Sequence, residues 1–333
     1  MAIAAGAARA EGTCDLLRSS ELERSGHAAL EKKELGAAAG DLERAFDACP
    51  KLHGLLLEIS QVQAQRREFD SAIEAARRYL DLEPGSIPGK LALANSYFMA
   101  QRLPDALAQA EAVLKSDPAQ ATALKLKANI EYLSGRLDPA MNALLQVLER
   151  NPGDQDAAYM LGRIYYQEGQ IDHAMGQFQR VLRLDPKSYK AYDNLGLCYQ
   201  ANGDTQMAIR HFLTAIKLVE TDHPEYDWAY ANLASLLIDQ GDDQKAFAAA
   251  SKAADRNPNS ARNFYLGGKA LWKLGKLDLS ANWLERSISL DPRYPDPLYL
   301  LSRVYSQMGQ EEKSRAMLEK FRVVKQNAPR QRK

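Results

Sequence analysis

Prolines recur along this chain at a fixed interval. They stand at Pro50, Pro84, Pro118, Pro152 and Pro186, with every interval equal to 34, and again at Pro258 and Pro292. The step from 186 to 258 is 72, two intervals plus four. Gly135, Gly169 and Gly203 keep the same spacing, as do Gly241, Gly275 and Gly309, with a step of 38 between the two sets. A third series, of small residues, runs Ala38, Ala72, Ala106, Ala140, Ala174 and Ala208, then steps 38 to Ala246, Ser280 and Ser314. Three series with one period and one four-residue insertion mean an internal repeat, and a repeat of this length decides the architecture before anything else. The insertion lies between Ala208 and Gly241, and Thr221-Asp-His-Pro-Glu-Tyr226 is its natural place.

Each residue type has a physical role at its place in the cycle. Proline lacks an N–H and disfavours helix at the residue before it, so it ends one helix. The glycine that precedes it by half a period, as Gly169 precedes Pro186, can take the positive φ that closes a helix. The small residue between the two, as Ala174, stands where two helix axes approach closely. Between these markers, apolar residues recur with helical spacing: Leu161, Ile164 and Tyr165 form one stripe, and Ala174, Phe178, Val181 and Leu182 the next. Each repeat is therefore predicted to be two antiparallel helices. One such pair cannot bury its own apolar face, so neighbours stack into an all-α, right-handed superhelical solenoid with a concave surface lined by the first helix of each pair.

The pattern resembles the tetratricopeptide repeat family. The residues that carry the resemblance are Ala158, Leu161, Gly162 and Tyr165 with Gly169, Ala174, Phe178 and Pro186, and then Tyr192, Leu195, Gly196 and Tyr199 with Gly203, Ala208 and Phe212. It covers about residues 19–328 and gives nine repeats: eight over 53–325, beginning near 53, 87, 121, 155, 189, 227, 261 and 295, and a divergent capping repeat over 19–52 with a polar, irregular first helix. The last pair, with Glu311, Glu312, Lys313, Arg315, Glu319 and Lys320, reads as a polar cap. Residues 1–18 form an N-terminal segment in which Ala8-Arg9-Ala10 before Glu11 resembles the end of a signal peptide, although no basic region precedes it; a frayed Ala-rich terminus is the other reading. Residues 326–333 read as a basic, mobile tail. The compartment stays open between cytoplasm and export.

Chemistry-bearing patterns are few. The 43 basic and 43 acidic residues cancel, which disfavours nucleic acid as a partner. The mean hydropathy of −0.42 and the lack of a long apolar run give no membrane span. Five histidines are scattered without H-E-x-x-H, no cysteine pair has zinc-ligand spacing, and His173 and His211 read as surface residues on second helices. Gly267-Gly268-Lys269 lacks the earlier glycine of a phosphate loop and falls inside a first helix. Asp242-Asp243 suits a helix start. No catalytic, cofactor or metal residues are assigned, and the chain is read as non-enzymatic. Cys198 sits on an apolar stripe and reads as core. Cys14 and Cys49, at adjacent ends of the first helical hairpin, would bridge in an exported protein and remain thiols in a reducing cytoplasm.

The repeat register instead supplies a binding surface. Its first helices place Asn95, Phe98, Lys125, Asn129, Tyr159, Arg163, Lys190, Asn194, Asn232, Tyr265, Lys269, Tyr299 and Arg303 inward, with Tyr132, Tyr166 and Trp272 open between groove and packing among the repeats. Lys125, Asn129, Tyr159, Arg163, Lys190 and Asn194 form the expected centre. Aromatic and arginine side chains combine apolar area with a polar handle, as binding anchors do. Lys125, Asn129 and Lys190 match three of the five positions with which some chaperone-binding relatives grip a C-terminal carboxylate, but Met160 and Asn194 depart from the other two, so chaperone recognition is not implied. The expected function is a protein-interaction scaffold that holds an extended peptide or a partner helix in the groove, with self-association possible. The alternative is an adaptor subunit of an enzyme or of an envelope-assembly complex.

Overall fold

The computed structural model describes residues 14–327. Among them are eighteen α-helices and no strand. In chain order they are α1 (Leu16–Glu31), α2 (Leu35–Ala48), α3 (Gly54–Gln65), α4 (Phe69–Leu82), α5 (Ile87–Met99), α6 (Leu103–Ser116), α7 (Ala121–Leu133), α8 (Leu137–Arg150), α9 (Gln155–Gln167), α10 (Ile171–Leu184), α11 (Tyr189–Ala201), α12 (Thr205–Val219), α13 (Trp228–Gln240), α14 (Asp243–Arg256), α15 (Ala261–Lys273), α16 (Leu277–Leu290), α17 (Pro295–Gln307) and α18 (Glu311–Asn327). Odd-numbered helices are the first, even-numbered the second, of each antiparallel pair. The chain divides into two compact units, one running to Ala157 and the other starting at Ala158. The possible signal remnant and nearly all of the basic tail lie outside the described residues.

The three periodic series do what their chemistry requires. Ala38, Ala72, Ala106, Ala140, Ala174, Ala208, Ala246 and Ser280 are all fully buried, so paired helices touch at these points. Ser314 is half-buried, on α18, which buries no residue completely. Gly135, Gly169, Gly203, Gly241, Gly275 and Gly309 have φ between 72° and 80°. The same left-handed place is filled in the first three pairs by Lys33, Arg67 and Gln101. Each proline of the series follows closely on the end of a second helix, as Pro186 follows Leu184.

In the first unit, one cluster joins Ala38, Leu42, Ala45 and Phe46 to Leu55, Leu56 and Ile59. A second joins Ile73 and Ala76 to Leu93, Tyr97, Ala110 and Ile130. α1 is not irregular: it is one continuous helix that buries Ser19, Gly26 and Ala29, small residues that let it lie close to α2. Cys14 and Cys49 are bridged. Beside the bridge, Asp15 N–H donates to the Ala48 carbonyl at 2.8 Å and Ser19 Oγ to the Ala45 carbonyl at 2.8 Å.

In the second unit, Phe178 and Phe212 are fully buried, and Leu233, Ile238, Ala250 and Leu266 continue the core. Cys198 is buried, as its apolar stripe predicts. Gly267 and Gly268 lie inside α15 against Trp283 and Leu284, which accounts for both without a phosphate. Asp242 caps α14. His211 departs from a plain surface reading: it is half-buried, its Nδ1 lies 2.8 Å from the Met207 carbonyl and its ring lies 4.8 Å from that of Tyr199.

Candidate functional site

In the second unit the four-residue insertion builds a polar cluster on the first-helix face. The connection between α12 and α13 covers 220–227, against 185–188 between α10 and α11. Arg256 on α14 holds it by donating to the carbonyls of Val219 at 3.2 Å, Glu220 at 3.2 Å and His223 at 2.9 Å. Held this way, Tyr226 reaches back to α11. Its hydroxyl donates to Asp193 Oδ2 at 2.6 Å, and its ring meets Tyr189 edge-on at 4.7 Å between centroids. Asn232 on α13 donates to Asp193 Oδ1 at 2.9 Å, and Arg262 on α15 donates to Asn232 Oδ1 at 2.8 Å.

Asp193 is only 3% exposed. Burial penalises its carboxylate and pushes its pKa above the ordinary value, although the Tyr226 and Asn232 hydrogen bonds oppose the shift. The same burial, with the Asp193 charge alongside, pushes the Tyr226 phenol far above its ordinary value. Asp227 is buried too, and Asn263 Nδ2 donates to it at 2.6 Å.

One repeat earlier, Asn194 donates through Nδ2 to the Tyr159 hydroxyl oxygen at 3.1 Å and to the Lys190 carbonyl at 2.8 Å. Burial raises the Tyr159 phenol above its ordinary value, so it stays neutral and can donate. Arg163 and Lys190 are exposed beside this pair. Further along the unit, Lys269 is half-buried, and Tyr265 packs against Tyr294 at 5.4 Å. Arg303 is exposed and lies 4.7 Å from the Trp272 ring, whose Nε1 donates to Gln307 at 2.8 Å. Tyr299 is exposed and packs against Phe321. The Tyr265 phenol is pushed up to about 12, chiefly by burial.

Asn232 corrects an expectation. It does not face solvent, because Asp193 and Arg262 consume both ends of its amide. In the first unit, Asn95 is exposed and Asn129 half-buried. Lys125 is already paired, 3.0 Å from Asp154 and 3.4 Å from Asp156.

Reading the register position by position would have found more. Trp228 and Arg262 hold the same place in the cycle as Lys190 once the insertion is counted, one repeat and two repeats further on. Trp228 is 57% exposed with the Arg262 guanidinium 5.5 Å from its ring. Asp193 stands one period after Tyr159. Tyr226 carried no periodic signal, since it belongs to the insertion.

Sequence profiles described as tetratricopeptide repeat match residues 91–147, 132–196, 188–259, 261–294 and 295–321. No curated protein matches the sequence significantly. Among solved structures, a chain of the anaphase-promoting complex hetero-tetramer Cut9-Hcn1 superposes with a TM-score of 0.66 at 18% identity, over 87% of this chain and 56% of that one. This chain thus spans little more than half of that relative's length. A tetratricopeptide repeat protein from Parabacteroides merdae superposes with a TM-score of 0.52 at 20% identity, over 86% of this chain and 99% of the other. At these identities the likeness is one of fold.

Proposed function

Because the chain belongs to the tetratricopeptide repeat family, we propose that it is a non-enzymatic interaction scaffold whose second unit holds an extended, acidic segment of a partner protein along its first-helix face. One observation carries the reading. Cationic side chains recur there at matching places in the cycle, Lys190 and Arg262 at one and Arg163, Lys269 and Arg303 at another, interleaved with Tyr159, Trp228, Tyr265 and Tyr299. Cations at this spacing can meet carboxylates along an extended chain, and the aromatic residues between them supply apolar contact.

The hydrogen bonds within the face favour a peptide backbone in particular. Asn194 spends both its N–H groups on Tyr159 and Lys190, which fixes its rotamer and leaves Oδ1 to accept from a peptide N–H. Tyr159, accepting from Asn194, keeps its own O–H to donate to a peptide carbonyl. Side chains already locked by neighbours lose little entropy on binding.

The test is fluorescence anisotropy with labelled acidic peptides selected from a displayed peptide library on the full chain. Lys190→Glu with Lys269→Glu is expected to weaken a selected peptide by at least about 2 kcal/mol, the scale of a hot-spot loss. Unchanged affinity, with unchanged helical content, would move binding off this face.

A further inference from the structure

In the first unit, two carboxylates and one imidazole converge where the first helices of neighbouring repeats meet. Glu23 and His27 lie at i and i+4 on α1, hence on one face of the helix, and Glu58 comes from α3. One ligating atom from each of the three lies within 4.8 Å of the other two. His27 Nε2 is 2.6 Å from Glu58 Oε2. We propose that Glu23, His27 and Glu58 form a binding site for a first-row divalent transition metal, with zinc as the reference ion.

Four observations support the site. First, the donor set fits: one neutral imidazole nitrogen and two carboxylate oxygens suit zinc and its neighbours better than the all-oxygen shell that calcium and magnesium prefer. Second, the distances fit. A tetrahedral zinc with bonds of about 2.1 Å sets its ligand atoms about 3.4 Å apart, so closure asks for little more than about 1 Å of movement by half-exposed side chains.

Third, the charges lack a counterpart. Among the described residues, neither Glu23 nor Glu58 forms a salt bridge with a lysine or arginine, and Glu58 is paired with His27. A divalent ion would balance both negative charges.

Fourth, the register fits. Glu23, His27 and Glu58 stand at the places that Tyr159, Arg163 and Asn194 occupy four full periods later. There too a residue from the next repeat, Asn194, closes onto the earlier helix through Tyr159. The capping repeat thus carries ligating side chains where a later repeat carries peptide-facing ones.

The bound ion would tie α1 to α3 directly, beside a hairpin whose ends the Cys14–Cys49 bridge already joins. Three protein ligands leave at least one position for water or for a carboxylate from outside, which is the pattern of an open site.

The experiment is calorimetric titration of zinc chloride into tag-free, non-reduced full-length protein, with cobalt chloride as a spectroscopic probe. One ion per chain is expected, with cobalt visible absorption typical of four- or five-coordination. His27→Gln and Glu58→Gln are each expected to weaken binding by more than the about 10–100-fold that loss of even an outer-shell partner costs. His173→Gln, on a second helix of the other unit, should change nothing and excludes adventitious histidine binding. No saturable binding, or binding that persists in His27→Gln with helical content intact, would overturn the proposal.

Discussion

Gly162 on α9 and Phe178 on α10 are in direct contact: a β-carbon at Gly162 would stand 2.8 Å from Phe178 Cε1. Gly196 and Phe212 repeat the relationship one period later, at 2.4 Å. Phe178 and Phe212 are fully buried, so neither ring has room to retreat. Gly162→Ala is therefore expected to destabilise by about 1–3 kcal/mol through overpacking, against the roughly 1 kcal/mol that alanine gains in helix propensity. Gly176, on the same pair but with nothing within 4 Å, is the control. Gly176→Ala should stabilise by about 0.5–1 kcal/mol. Chemical denaturation of the two variants checks the opposite signs.

Lys33, Arg67 and Gln101 hold the left-handed turn that glycine holds in the six later pairs, with φ of 61°, 64° and 59°. A β-carbon there costs roughly 1–2 kcal/mol, and glycine returns about half of the relief as unfolded-state entropy. Gln101→Gly is expected to raise stability by up to about 1 kcal/mol, and Gly203→Gln to lower it by a similar amount. Thermal unfolding of the two variants, each compared with the parent, reads both.

The Cys14–Cys49 bridge closes a separation of 35 residues around the first hairpin. In the chain-entropy account, a loop of that size contributes roughly 3–4 kcal/mol. Because stacked repeats open from their ends, the loss should be local. Cys14→Ser with Cys49→Ser should speed amide hydrogen exchange throughout α1 and α2 and leave α15 and α16 unchanged. Equal protection of α1 with and without the bridge would show that Leu42 and its neighbours hold the hairpin unaided.

The architecture was legible because period, glycine and small-residue series are properties of backbone and packing, which repeat. The site was less so. Asn232 has the register of a groove residue, yet Asp193 from the previous repeat and Arg262 from the next consume its amide. Tyr226 reaches Asp193 because the insertion breaks the period, and a periodic reading has no place for it. Lys33, Arg67 and Gln101 hid the first third of the turn series, since the backbone conformation persists where the glycine does not. Trp228 and Arg262, by contrast, were recoverable by carrying the register forward from Lys190 with the insertion included.

Asp193 gives a pH prediction whose sign follows from burial. Its pKa is raised in the folded chain, so between the unfolded value, about 3.9, and the raised one the folded state binds more protons than the unfolded. Its contribution to stability is thus greatest at low pH, falls as pH rises through that window and does not return at neutral pH. Asp193→Asn removes the titration while keeping the contacts. The new amide can accept from Asn232 through Oδ1 and donate to the Tyr226 oxygen through Nδ2. Relative to this variant, the parent should lose stability as pH rises above the unfolded value, until the raised folded value is passed. Asp193→Ala has no such compensation, and leaving the Asn232 amide and Tyr226 hydroxyl unpaired should cost about 1–3 kcal/mol at all pH values. Tyr226→Phe removes one hydrogen bond that favours the carboxylate, so it should extend the parent's slope to higher pH. Denaturant titrations at several pH values separate the outcomes. A parent-to-Asn difference that is flat with pH would mean that the carboxylate is as well solvated by its two donors as by water, and a difference of opposite slope that those donors outweigh burial.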